Sequence, residues 1–147
     1  MRIKQLLIGM TASVIAVSSY VEMAIADLKF PMLVYRTGAY APNGIPNADG
    51  FVDYYKMINA RDGGIGGEKI FHPECETGYK TQVGVECYEK NKKDAMVFQP
   101  MSTGITYQLI PKATADGVTI YSTGYGRTSA ANGKVFKWVF NAPVTYW

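Results

Sequence analysis

Apolar positions change period repeatedly along the chain, and each change marks an element. Leu28 to Tyr35 is a continuous apolar, β-branched and aromatic run ending at Arg36-Thr37-Gly38, which predicts a buried strand with a break near Pro31. Ile45 to Arg61 sets Ala48, Phe51, Val52, Tyr55 and Ile58 at helical spacing, with Pro46 in the first turn and Gly63 as a stop. An amphipathic helix follows from that pattern. Gly63 to Gly67 reads as a tight connection into a short strand over Lys69–His72, ending near Pro73. Lys80 to Lys93 predicts a second helix with Val83 and Cys87 on one face and lysines near its carboxyl-terminal dipole. A third strand is expected over Ala95–Phe98, then a helix from the Gln99–Gly104 turn to about Ala115, kinked at Pro111. Val118–Ser122 and Val135–Phe140 complete the strands, separated by a polar loop over Gly124–Asn132. Alternation of this kind predicts the α/β class: a Rossmann-like parallel sheet with helices on both faces and right-handed crossovers.

In such a sheet ligands meet the loops at the carboxyl ends of the strands, around the point where strand order reverses. Four loops qualify: Thr37–Gly44, Cys75–Tyr79, Gln99–Gly104 and Thr123–Arg127. Ser102 and Thr103 stand where a helix begins, so their hydroxyls and the nearby N–H groups could hold a carboxylate or simply cap the helix.

Charge narrows the partners. The chain carries 15 Lys plus Arg against 12 Asp plus Glu, and its basic cluster of Lys90, Lys92 and Lys93 lies beside Glu86, Glu89 and Asp94. A nucleic-acid binder concentrates cations on one face, so no nucleic-acid partner is expected. The first 26 residues stand apart: Arg2 and Lys4 precede a twelve-residue apolar stretch, Leu6–Val17, and Ala24-Ile25-Ala26 supplies a small-x-small cleavage pattern. That is the form of a secretory signal peptide. As a helix the apolar stretch would reach only about 18 Å, short of a ~30 Å hydrocarbon core, so stable membrane insertion is not expected. The domains are therefore a signal peptide over 1–26 and one folded unit over 27–147, with export to the periplasm or cell exterior.

Export bears on Cys75 and Cys87, since an oxidising compartment favours a disulfide over an idle thiol pair. A metal pair, short of further His or Cys ligands, and two buried thiols are the competing readings. Enzyme motifs fail on their residues. Gly124 to Ser129 begins like G-x-G-x-x-G but lacks the third Gly, and Gly126 to Lys134 misses both the spacing and the hydroxyl residue of a P-loop. The single histidine, His72, falls within a predicted strand, where a structural role suits it better than that of a catalytic base. Glu74 and Glu76 alternate faces if extended, which does not make a catalytic pair. No catalytic residue, metal site or cofactor is expected.

Several segments, in order, carry a resemblance: Leu33–Gly38, Tyr40–Pro46, Glu74–Tyr79, Val85–Glu89, Met101–Pro111 and Gly124–Thr128. Together they resemble substrate-binding proteins of branched-chain-amino-acid-type ABC transporters, of the type I periplasmic binding protein fold. The resemblance covers residues 28–147 but only the first of the family's two lobes, with that lobe's sheet incomplete. It implies a periplasmic protein that captures an amino acid or a related small carboxylate or amide and delivers it to a permease with its ATPase subunits. A ligand-sensing receptor domain of the same fold is the alternative, and a small secreted enzyme a third. Carried over by position, the resemblance places head-group contacts at Ser102, Thr103 and Gly104 and at Gly124, Tyr125 and Gly126. The first loop brings Asn43, with Tyr40 close by, to where some relatives hold an aromatic side chain over the ligand. On this reading strand-edge residues Phe136, Trp138, Val139 and Phe140 would be exposed.

Overall fold

The computed structural model describes residues 27–123 and 128–142; the predicted signal peptide lies outside the described residues. The first predicted strand is two, β1 (Leu28–Lys29) and β2 (Met32–Val34), interrupted at Pro31. Its neighbour splits in the same way, into β3 (Ile70–Phe71) and β4 (Glu74–Glu76). Leu28 pairs with Ile70 and Met32 with Glu74, so register is kept across the break and Pro31 lies level with Pro73. The Phe30 N–H donates to the Phe71 carbonyl at 2.8 Å and the Met32 N–H to the Pro73 carbonyl at 2.9 Å, which carries the ladder past residues that have no N–H to give. Pro73 thus interrupts a strand where the sequence predicts its end. Cys75 sits within a strand as a result, not in the loop.

All strand pairs in the five-stranded sheet are parallel, in the order β4-β2-β5-β6-β7, with β5 at Val97–Pro100, β6 at Thr119–Thr123 and β7 at Val139–Ala142. The last strand starts four residues later than its apolar run suggests. Val135 and Phe136 are spent in a turn in which both N–H groups donate to the Asn132 carbonyl.

Helix α1 (Ala41–Arg61) begins before Ile45 and so holds Pro42 in its first turn and Pro46 in its interior. Its Ala48 and Tyr55 cover Met32 and Val34 of β2 on one face of the sheet, together with Ile70 of β3. Helices α2 (Thr81–Asn91) and α3 (Thr103–Asp116) cover Leu33, Phe98, Ile120 and Val139 on the other, and α3 runs on through Pro111. β2 is therefore buried on both faces, which explains why Met32-Leu33-Val34 shows no alternation. The α2–α3 contact is close: a Cβ on Gly84 would lie 2.6 Å from the Ile105 side chain. Tyr88 donates to Asp116 across the same seam at 2.9 Å.

A disulfide joins Cys75 of β4 to Cys87 of α2, with Cα atoms 5.8 Å apart. The link runs from an edge strand straight to the helix above it. At the opposite edge Trp138 and Phe140 are exposed, whereas Val139 is buried under α3 and Phe136 packs half-buried against the core, so only two of the four aromatic and apolar residues expected there are open.

Candidate ligand crevice at the carboxyl edge of the sheet

Strand order reverses between β2 and β5. The chain leaves β2 toward β4 on one side through α1 and leaves β4 toward β5 on the other through α2, so the β2 and β5 loops lead in opposite directions, the arrangement at which open parallel sheets place a ligand crevice. Each wall can be built from its residues.

On the β5 side, Ser102 is the N-cap of α3, and its hydroxyl accepts from the Ile105 N–H at 3.4 Å. It is almost wholly buried. The Thr106 hydroxyl in turn donates to the Ser102 carbonyl at 2.8 Å, which fixes the first turn of α3. Thr103, half-buried, opens the helix, and Gly104 faces Thr81 so closely that a Cβ would lie 2.8 Å from the Thr81 hydroxyl. The structure therefore gathers Ser102, Thr103 and Gly104 at one helix start, with the Ser102 hydroxyl already engaged in capping.

On the β2 side, the loop after Tyr35 turns at Gly38 into α1. Gly44 of that helix leaves no room for a side chain against the Tyr35 carbonyl and ring. Asn43 lies exposed in the first turn, and its N–H donates to the Tyr40 carbonyl at 3.0 Å. Tyr40 is half exposed and stacks on Tyr79, with ring centroids 4.3 Å apart. Tyr79 meets the buried Tyr35 edge to face at 4.8 Å. Nothing in the periodicity singles out Tyr79. Its signal is local: an aromatic residue directly after Gly78 in a loop at a strand's carboxyl end. The remaining expected contacts, Gly124, Tyr125 and Gly126, lie outside the described residues.

A carboxylate locks the two loops together. Glu76 accepts from the Arg36 N–H at 2.8 Å and the Gly78 N–H at 2.7 Å, and from the Thr37 hydroxyl at 3.2 Å. Gly38 and Gly78, both at positive φ, approach so that a Cβ on Gly38 would sit 3.4 Å from the Gly78 carbonyl. Buried Thr77 adds a hydroxyl that donates to the Val34 carbonyl at 2.8 Å and accepts from the Tyr79 N–H at 3.2 Å. Beside this clamp Arg36 makes paired bonds to Glu74 at 2.7 and 2.8 Å and one to Asp49 at 2.7 Å. Hydrogen bonding to Glu74, and then to Asp49, holds the guanidinium above its ordinary pKa, and the same bond to Arg36 holds the Glu74 carboxyl below the usual range.

The arrangement has the parts for holding a small molecule: backbone donors at a helix start and an aromatic surface. His72 instead lies between β3 and β4 against the Tyr55 ring at 5.5 Å, and among the described residues no group of three or more His, Cys, Asp or Glu could hold a metal ion.

A family model described as periplasmic binding protein matches residues 27–147. No curated protein matches. Among solved structures, the chain is similar to an ABC transporter permease from the Pseudomonas fluorescens group, at 38 % identity and a TM-score of 0.77, covering 82 % of this chain and 30 % of that one. It shares its fold with a branched-chain amino acid transporter substrate-binding protein from Streptococcus pneumoniae in complex with isoleucine, at 20 % identity and TM-score 0.67, covering 81 % and 34 %. The same holds for an ABC transporter solute-binding protein from R. palustris in complex with benzoate, at 20 % and 0.63, covering 78 % and 32 %. The chain spans about a third of the length of these relatives.

Proposed function

Because the chain belongs to the periplasmic binding protein family, we propose that it serves as the solute-capturing component of an ABC importer, working outside the cytoplasm. Its described residues form the first lobe of a type I periplasmic-binding-protein fold. The observation that supports the reading is the strand-order reversal between β2 and β5, on a chain that matches the family from residue 27 to 147. Ser102, Thr103 and Gly104 supply backbone donors for a carboxylate, Tyr40 and Asn43 form the facing loop, and Gly124, Tyr125 and Gly126 complete the head-group contacts. The Ser102 hydroxyl acts indirectly, by fixing the first turn of α3 so that its N–H groups point outward.

Partners follow from the role. A permease and its ATPase subunits receive the solute, and residues 1–26 direct export and are removed, leaving Asp27 first. The solute class is an amino acid or a related small carboxylate or amide; solved relatives of this fold carry ligands as different as isoleucine and benzoate.

Closure of two walls around a ligand removes water and strengthens every polar contact, whereas one lobe keeps only its own donors. A polypeptide of residues 27–147, with this lobe alone, should therefore bind small carboxylates no more tightly than about millimolar, near −4 kcal/mol. Ligand-observed NMR with isoleucine and benzoate, each raised to tens of millimolar, is the test. Absence of saturation transfer to either ligand would overturn the reading. Amino-terminal sequencing of exported protein checks the leader, and a mature start other than Asp27 would refute the cleavage site.

A further inference from the structure

The dipeptide Asn-Gly occurs twice in the chain, as Asn43-Gly44 and as Asn132-Gly133, and the fold treats the two in opposite ways. At the first, both residues lie in the opening turns of α1. The Gly44 N–H donates to the Tyr40 carbonyl at 3.0 Å, and the glycine is buried against Tyr35. At the second, Asn132 and Gly133 are exposed in the turn that leads into β7. Nothing lies within 4 Å of where a Cβ on Gly133 would stand, and among the described residues no acceptor engages its N–H.

The Asn132 side chain is folded back over that open peptide. Its Oδ1 accepts from the Lys134 N–H at 3.1 Å, which closes a ring around Gly133 and brings the amide carbon to the same side of the turn as the Gly133 nitrogen. An N–H on a carbonyl oxygen also stabilises the negative charge that develops there when a nucleophile adds to the carbon. Gly133 has no Cβ to shield its own nitrogen or to restrict the backbone torsions that the approach requires. At Gly44 the same nitrogen is tied into the helix, whose torsions hold it away from the Asn43 side chain.

We propose that Asn132-Gly133 is a self-modification site, where loss of the side-chain amide rebuilds the turn before β7. The Gly133 nitrogen, giving its proton to hydroxide, bonds to the Asn132 amide carbon. The Cγ–Nδ2 bond breaks, and ammonia leaves with a proton taken from water. The product is a cyclic imide. Water then adds to one of the two imide carbonyls and that carbonyl's bond to the ring nitrogen breaks, giving aspartate if it is Cγ and isoaspartate if it is the main-chain carbonyl. Across both steps water is consumed and ammonia is released. The Asn132 carbonyl accepts from the Val135 and Phe136 N–H groups at 3.0 and 2.9 Å. In isoaspartate that carbonyl leaves the main chain as a free carboxylate, and the chain gains a carbon at this point. The two bonds set the turn from which Val139 enters the core and pairs with Ile120, so β7 is the element that loosens.

The test is incubation of the full chain in mildly alkaline buffer, followed by digestion and by chromatography with mass spectrometry that resolves asparagine, aspartate and isoaspartate at each site. In the folded chain Asn132 should convert, and Asn43 should convert at least about tenfold more slowly, because the attacking nitrogen must first give up a helical hydrogen bond. In urea, where Gly44 is freed, the two rates should come together. Gly133→Ala fits the open space and should slow conversion at Asn132 several-fold while leaving the fold in place. Hydrogen exchange on the isolated isoaspartyl form should show loss of protection at the Val135 and Phe136 N–H groups against the unreacted chain. Conversion of Asn132 no faster than that of Asn43 in the folded chain, or undiminished by Gly133→Ala, overturns the site. Unchanged protection at Val135 and Phe136 overturns the loosening of β7.

Discussion

Adding one methyl group at Gly84 and the same methyl group at Gly50 should move stability in opposite directions. Both glycines lie inside helices, where replacement by Ala favours the helix by about 0.5–1 kcal/mol through backbone entropy. At Gly50 of α1 nothing lies within 4 Å of a new Cβ, so that gain should appear in full. At Gly84 the Cβ would meet three carbons of Ile105, Cδ1 and Cγ1 at 2.6 Å and Cγ2 at 2.7 Å. Because Cγ1 and Cγ2 branch at the same carbon, swinging the tip cannot clear the contact, and χ1 of a β-branched residue in a helix is stiff. Ile105 is fully buried, so the α2–α3 seam itself must open. Overpacking of this kind costs about 1–3 kcal/mol, which offsets or outweighs the helix gain and leaves Gly84→Ala destabilised by up to about 2.5 kcal/mol. At about 3–6 °C per kcal/mol for a domain of this size, the two variants should melt several degrees apart. Thermal unfolding followed by far-ultraviolet circular dichroism, with urea titration for the free energy, measures both. Gly84→Ala with Ile105→Ala should recover none of the helix seam's packing but should remove the clash, so its cost should fall below the sum of the two single changes. A Gly84→Ala protein as stable as Gly50→Ala would refute the close approach of α2 and α3.

Loss of the Cys75–Cys87 link should cost about 3 kcal/mol in the chain-entropy picture for a loop of some 13 residues, and urea unfolding of Cys75→Ser/Cys87→Ser against the oxidised wild type would read it; a cost below about 1 kcal/mol would contradict a constraining bridge. Burial pushes the Tyr55 hydroxyl up to about 12, with its bond to Gln99 opposing. Since the unfolded phenol titrates near 10, the stabilisation is complete below about pH 10 and is lost as pH rises toward 12; Tyr55→Phe should flatten that alkaline slope in urea titrations. Glu74 behaves in the opposite sense: bonded to Arg36 and lowered, it stabilises above the ordinary carboxyl range near pH 4.3, and that contribution fades as pH falls through its folded value. Glu74→Gln should therefore make stability less dependent on pH below about 5, and an unchanged acid limb would show the pair to be inert.

The alternation of apolar periods was enough to determine the α/β class, the parallel sheet and the identity of all three helices, because burial of a strand on two faces and of a helix on one leaves different local spacing. Gly117, in the left-handed conformation with its N–H on the Ala113 carbonyl, ended α3 within a residue or two of where its pattern stops. Pro31 was legible as a break for the same local reason. Pro73 was not: whether a proline ends a strand or merely interrupts it depends on the neighbouring chain, and here Pro31 stands level with it while the ladder resumes at Met32 and Glu74. The late start of β7 was settled by Ile120–Val139 pairing, which the apolar run from Val135 could not specify. At the crevice, sequence marked Ser102 and Thr103 as a helix start but left capping and binding equal; the Ile105 N–H facing the Ser102 hydroxyl is a property of the folded turn. Tyr79 could be placed in a candidate loop from sequence, but the aim of its ring was decided by tertiary structure. Its ring is aimed by Glu76, Gly38 and Tyr35, residues up to 44 positions away, and no local period records a contact that only the sheet's order creates.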